Sequence, residues 1–242
     1  MQNLRFFIVL FLLVWPFLFS YGQTQFAGWV GMFNTFKVSD KISLGLDMQV
    51  RSTDQVKHLQ TFIFRPAINW NFRKNMTATA GYGYFRSQRI VSGVTGYAPE
   101  HRLWEQFIIT HNIGFVPVTH RFRLEQRFIS KSFVRNNSFE NEGNLFANRL
   151  RYFNRGIIPF KKQKPFVKGA FAAIQNELFF NLGDKSGVNG KFFDQNRLYL
   201  AAGYRFSPKF DGEMGYLNQY VSGKNKSFTN NHILQIAGYI RL

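Results

Sequence analysis

From Lys41 to Arg51 the chain alternates without a break. Ile42, Leu44, Leu46, Met48 and Val50 fall on one face, and Lys41, Ser43, Gly45, Asp47, Gln49 and Arg51 on the other. A period of two belongs to a β-strand with one oily and one wet face. The pattern returns at Arg121 to Arg127, where Phe122, Leu124 and Phe128 interleave with Arg121, Arg123, Glu125 and Arg127, and again from Arg197 to Phe206. Strand candidates lie at 25–36, 41–52, 59–72, 76–88, 101–115, 119–131, 145–157, 165–180, 193–206, 210–221 and 230–242. Most are long enough to cross a bilayer as tilted strands.

The first residues add an address. An uncharged apolar run at 6–19 follows Arg5 and precedes Ser20 and Gly22, the layout of a secretory signal, with cleavage expected after Gly22. The run is short for a spanning helix and contains Pro16, which disfavours a signal anchor. Every later oily stretch is interrupted by Arg, Lys, Asn or Gly, so no transmembrane helix is expected in 23–242. With no cysteine, the chain has neither a lipid-anchor thiol nor a disulfide framework. The net charge of +18 would raise nucleic acid as a partner. Export argues against it, and so does the placement of arginines singly between apolar residues instead of in a phosphate-tracking patch. A hydrated barrel interior with basic rims facing anionic headgroups explains the charge better.

The connections support the same class. Short turns are expected at 73–75, 116–118, 159–164 and 207–209, and long polar loops at 88–100, 132–144, 181–192 and 222–230. Short turns at one end and long loops at the other are the topology of an outer-membrane barrel. An even strand number is the rule for bacterial single-chain barrels, and the marked segments number one too many or one too few. The least regular segment is 25–36, where Gly28 and Gly31 blur the faces, so either it is not a full wall strand or one strand is missed. Aromatic residues near strand ends, Trp70, Phe72, Tyr82, Tyr84, Tyr204, Phe206, Tyr216 and Tyr239, fit interfacial girdles, although rings favour strands in any β-protein.

The cost of lipid-facing charge assigns the faces. An Arg or Lys near a bilayer midplane costs about 2 to 4 kcal/mol, so strand arginines point inward or sit at the rims. Phe62, Phe64, Ile68, Trp70 and Phe72 are expected outside and Arg65, Asn69 and Asn71 inside. Leu198, Leu200, Ala202, Tyr204 and Phe206 should face out, leaving Gln195, Arg197, Tyr199 and Arg205 inside. On the last strand Leu234, Ile236, Ile240 and Leu242 face out, against Gln235 and Arg241. The expected interior set comprises Arg65, Arg121, Arg123, Arg127, Arg149, Arg151, Arg197 and Arg205, with Glu105, Glu125, Glu177 and Glu213 as partners. Such side chains either fill a small barrel by pairing across it or line an anion-attracting passage, and a small interior is more readily filled.

The segments Glu100-His101-Arg102-Leu103-Trp104-Glu105-Gln106, Arg121 to Phe128, Phe193-Asp194-Gln195-Asn196-Arg197 and Asn231-His232-Ile233-Leu234 resemble signatures of the domain of unknown function 2490 family. The resemblance spans essentially all of 23–242. It implies an exported outer-membrane barrel of the kind found mainly in the Bacteroidota, and it implies no substrate or catalytic residue.

Motifs of soluble enzymes are missing: the chain has no His-Glu-x-x-His, no Gly-x-Ser-x-Gly and no phosphate loop. His58, His101, His111, His120 and His232 are scattered. Glu100, His101, Arg102, Glu105 and Gln106 form the densest polar cluster, and a lipid-modifying enzyme could use His101 or His232 at the rim. No serine is tied to either by spacing, so ion pairs bracing a loop are the simpler reading. Asp184-Lys185-Ser186-Gly187-Val188-Asn189-Gly190 has one carboxylate and no closing Glu, which reads as a mobile surface loop instead of a calcium site. The chain is thus expected to be all-β: a transmembrane antiparallel up-and-down β-barrel of ten to twelve strands, residues 23–242, behind a signal at 1–22. It would lie in the outer membrane of a Gram-negative bacterium as a scaffold or narrow conduit. Its expected partners are outer-membrane lipid, lipopolysaccharide and, during biogenesis, the barrel-assembly machinery; no nucleic acid, cofactor or metal is expected.

Overall fold

Each alternating segment forms a strand that pairs with its neighbours, and the sheet, whose two faces differ in polarity, encloses the polar one by curling on itself. The computed structural model describes residues 23–242, so the expected signal at 1–22 lies outside the described residues. The strands are β1 (Gln23–Lys37), β2 (Ile42–Ser52), β3 (Leu59–Arg73), β4 (Met76–Val91), β5 (Val94–Ile113) and β6 (Val116–Arg135), followed by β7 (Ser138–Pro159), β8 (Gly169–Leu182), β9 (Phe193–Ser207), β10 (Phe210–Ser222) and β11 (Phe228–Arg241). All eleven form one closed barrel in sequence order. All junctions but one are antiparallel. β1 closes the barrel by running parallel to β11, with Val30 opposite Ile236 and Phe33 opposite Tyr239.

The parallel seam corrects the preference for an even number. An up-and-down wall with an odd strand count brings its first and last strands together in the same direction, so Gln23 starts at one end and Arg241 finishes at the other. The segment that looked least regular is a full wall strand, paired on both sides with β2 and β11. We call the end bearing the β4–β5 turn the upper end, and the end bearing the β3–β4 turn the lower one.

Two expected long loops are instead strand. Residues 88–100 and 132–144 continue the β4–β5 and β6–β7 ladders through the tight turns Ser92–Gly93 and Asn136–Asn137. All four turn residues have positive φ, from 47° to 80°, as a primed hairpin turn requires. These hairpins project above the rest of the wall. A register shift between Ser130 and Ser132 bends the second, and Phe139 packs over Gly96, where any side chain would collide with the ring. The 183–192 loop is also pinned. Asn189 Nδ2 donates to the carbonyls of Phe193 and Ser222 at 3.1 and 3.0 Å, and the Asp184 carboxylate accepts from the Ser186 amide at 2.9 Å. At the lower end the 160–168 connection turns Phe166 inward against Phe171.

The outer surface is oily over most of its height, with Val30, Ile68, Trp70, Leu200, Ile236 and others exposed. The interior is small-walled on one side and crowded on the other. β1 to β4 present Gly31, Ser43, Gly45, Ala67, Thr79 and Gly81 inward, whereas β5 to β9 present long arginines.

The seam can be tested chemically, because the chain has no cysteine of its own. Val30→Cys paired with Ile236→Cys should join through a short thiol cross-linker and change mobility on a denaturing gel. Phe26→Cys with the same Ile236→Cys should not. Absence of the first cross-link in folded protein would show that the barrel closes differently.

Candidate functional site

The interior of the β5–β9 wall holds the most concentrated chemistry in the molecule. Alternation places Arg102 and Trp104 of β5, Arg121, Arg123, Glu125 and Arg127 of β6, and Arg149, Arg151 and Arg155 of β7 on the inner face. Glu125, 1% exposed, is the hub: Arg149 Nη2 donates to it at 2.7 Å and Arg151 Nη1 at 2.5 Å, with Arg102 at 3.4 Å and Arg123 at 4.0 Å. Arg151 continues to Glu177 at 2.6 Å, which also accepts from Arg121 at 2.7 Å and lies 3.9 Å from Arg197. Arg102 continues upward to Glu100 at 2.7 Å, which Arg127 also reaches, at 2.6 Å. Arg149 adds Asp194 at 2.9 Å. Lower down, Glu213 takes Arg155 and the Tyr239 hydroxyl, and Asp211 takes both Arg205 and Arg241.

Aromatic rings carry charge where carboxylates run short. Phe179, fully buried, has the guanidiniums of Arg149, Arg151 and Arg197 within 5.1 Å of its centroid. Arg123 lies 4.1 Å over Trp104, and Arg102 lies 3.6 Å over Phe85. A ring face attracts a cation most where water is scarce. The result is a cross-braced lattice running through the upper and middle interior. It leaves a cavity of ≈ 290 Å³ toward the small-residue wall, between Ser43, Gly45 and Arg123, and one of ≈ 140 Å³ among larger side chains, between Gln49, Arg51 and Arg197.

Of the expected interior residues, Arg65, Arg121, Arg123, Glu125, Arg127, Arg149, Arg151, Glu177, Arg197, Arg205 and Glu213 lie inside and belong to this network. Glu105 does not. It is exposed on the outer face, where its carboxylate accepts from Gln126 Nε2 at 3.0 Å. The period explains why: Glu105 is in phase with Leu103, Phe107 and Ile109, and their oily side must face out. Tyr239, expected in a girdle, points inward to Glu213. The same phase brings in residues absent from the expected interior set, Glu100 and Arg102 of β5 above all, with Arg155, Asp194 and Asp211, and it puts Asp47 and Arg51 inside, on the wet face of the 41–51 alternation. Glu100 and Arg102 do pair, as a loop brace was expected to, but as part of the interior and without Glu105.

The two rim histidines lie on the outer face, far apart around the wall. Each makes its side-chain hydrogen bond to a tyrosine: His101 Nδ1 with Tyr82 Oη and His232 Nδ1 with Tyr216 Oη, both at 2.5 Å. A third such pair, His120 with Tyr152 at 2.9 Å, lies toward the lower end, where His111 stacks on His120. Among the described residues no three His, Asp or Glu side chains converge as a metal site.

The sequence profile of the family described as protein of unknown function (DUF2490) matches residues 26–230. An uncharacterized protein of Methylorubrum extorquens is 26% identical over 198 residues, covering 81% of this chain and 78% of that protein. That organism is a proteobacterium, so similar sequences occur outside the Bacteroidota.

Removing one partner of a buried ion pair costs about 3 to 5 kcal/mol, because the other charge stays desolvated. Glu125→Gln leaves four guanidiniums around a neutral amide and should lower the unfolding free energy by about that amount. Glu105→Gln, on the outside, should change it by less than about 0.5 kcal/mol. Denaturant midpoints of the two variants check the contrast, and equal effects would contradict the assigned hub.

Proposed function

We propose, from the premise that the chain belongs to the DUF2490 family of proteins of unknown function, that it is an integral outer-membrane β-barrel acting as a sealed scaffold rather than an open conduit. The observation carrying this reading is the inverted polarity of the wall, charged inside and oily outside except where Glu105 pairs with Gln126. In water such an exterior would be a very large apolar patch, which soluble monomers avoid. In a bilayer it is the surface required, and the arginines are where lipid cannot reach them.

The outer aromatic residues support the same setting. On β5, His101 and His111 mark the two tyrosine–histidine zones and are ten residues apart. That separation is about 33 Å of strand, or about 25 Å along the axis at a tilt of about 40°, the height of an outer-membrane apolar band. In this reading His101 and His232 anchor the upper interface with Tyr82 and Tyr216, and do not serve a lipid-modifying reaction. His101→Ala and His232→Ala should then leave the lipid composition of the outer membrane unchanged; an altered lipid profile would favour the enzyme.

Sealing follows from the lattice. A conducting path would have to pass the Arg102–Glu125–Arg151–Glu177 chain, and the lower end is narrowed by Phe166, whose carbonyl accepts from Arg205 Nη1 at 2.7 Å. Purified protein should resist carbonate extraction, migrate differently on gels before and after heating, and give no steady conductance in planar bilayers. A stable anion-selective current would restore the conduit, and release by carbonate would remove the membrane reading altogether.

The parallel seam gives this setting an uncommon topology. With the lower end, opposite the projecting hairpins, toward the periplasm, Gln23, the first described residue, lies at the outer end while Leu242 lies at the inner one. An epitope inserted before Gln23 should bind antibody on intact cells, and one added after Leu242 should bind only after permeabilisation. Both epitopes hidden, or both displayed, would contradict the topology.

A further inference from the structure

The two interior cavities differ from the rest of the lattice in how their charge is met. Arg65 and Arg121 line both, so they form the border between them. Each uses a single Nη2 on a carboxylate, Asp47 at 3.0 Å and Glu177 at 2.7 Å, and each keeps a buried Nε–H with no acceptor among the described residues. Arg123, 3% exposed, lines the larger cavity. Its Nε and Nη2 share one acceptor, Gln106 Oε1, while its Nη1 has no hydrogen-bond partner. Arg51 lines the smaller cavity and makes no ion pair among the described residues; it rests 3.8 Å over Trp29 and donates to Gln49 at 2.8 Å. Arg197, on the same cavity, is 3.9 Å from Glu177, its one ion-pair partner among the described residues.

Seven guanidiniums line the two adjoining cavities; Arg151 and Arg155 are taken up by Glu125, Glu177 and Glu213, and the other five face a lining with two carboxylates, Asp47 and Glu177. Enclosed cations without counter-charge are costly, and guanidinium forks suit oxyanions because they donate in pairs. The opposite wall, Ser43, Gly45 and Asn69, is small and polar and leaves the volume open. A way in exists from the lower end. The larger cavity shares Thr35, Ser43, Asn71 and Thr77 with a broad depression that also carries Lys37, Lys41, Arg73 and Lys74, a basic mouth leading to the arginines.

We propose that this chamber is a binding site for a small soluble oxyanion carrying more than one negative charge, admitted from the lower end and held by Arg51, Arg65, Arg121, Arg123 and Arg197. The site is blind, because the Glu125 lattice closes it above. It is therefore a place of capture and not of passage. It lies inside the wall, so it depends on the barrel and not on whether the outer face meets lipid.

Titration of the purified barrel with inorganic phosphate and with citrate tests the site, by calorimetry and by the shift in thermal midpoint against sodium chloride at equal ionic strength. Saturable binding of at least one of the two, with a rise in midpoint beyond the chloride control, is expected. Arg51 makes no ion pair, so Arg51→Gln orphans no carboxylate and should fold as the wild type does, with the same heat-dependent gel shift. It should nevertheless bind about tenfold more weakly, the loss of one charge-assisted hydrogen bond. Arg123→Gln gives up only the longest of the four contacts to Glu125, which keeps Arg102, Arg149 and Arg151, and should likewise weaken binding in folded protein. Failure of both anions to exceed chloride, or unchanged binding in folded Arg51→Gln and Arg123→Gln, would overturn the site while leaving the membrane reading untouched.

Discussion

The interior depends on one exchange: the desolvation of many guanidiniums against a few shared carboxylates. An arginine carried into a closed barrel loses water that no single partner fully replaces. The chain answers by making each carboxylate serve several cations. Glu125 meets Arg102, Arg123, Arg149 and Arg151, and Glu177 meets Arg121, Arg151 and Arg197. Arg151 joins the two hubs, and buried Phe179 offers its faces to three of the same arginines. The strands carrying these residues are therefore tied across the interior as well as along their edges.

The lattice is one-sided, and the rest of the architecture reflects that. Long side chains on β5 to β9 fill their half of the barrel, and on β1 to β4 small residues such as Ser43, Gly45 and Ala67 leave space around Arg51 and Arg65. The proposed anion chamber occupies that space, where charge exceeds its neutralisation. At the upper end the projecting hairpins and a pinned loop are each held through a contact between distant segments: Phe139 on Gly96, and Asn189 on the Ser222 carbonyl. The basic depression at the lower end gives the chamber its access.

Several features were readable from residues alone, and the errors are instructive. The lattice arginines of β6 and β7 stood out because oily neighbours flanked them on both sides. Charge alone points Glu105 inward, whereas phase, set by Leu103, Phe107 and Ile109 on its side of the strand, turns it out. Glu100 and Arg102 were missed for a related reason. Both faces of β5 are polar near its top, so no oily side there marks Arg102 as inward, and Glu100 falls in the stretch whose polarity reads as loop. The same confusion hid the continuation of strands through Ser92–Gly93 and Asn136–Asn137, whose residues are typical of tight hairpin turns. Above an apolar band a ladder needs no oily face, so hydrophobic periodicity fades while the hydrogen bonds go on.

The sequence by itself determined that the chain is a run of two-faced strands, because alternation of side chains follows from the geometry of one extended backbone and needs no partner. It also determined which face of most strands is oily. Only the tertiary structure decided the strand count of the closed wall, since an odd barrel differs from an even one in how β1 meets β11, a contact between the two ends of the chain. It alone decided which carboxylate each arginine meets. Those pairs span the interior between strands far apart in sequence, and their geometry depends on register and curvature, which no local pattern records.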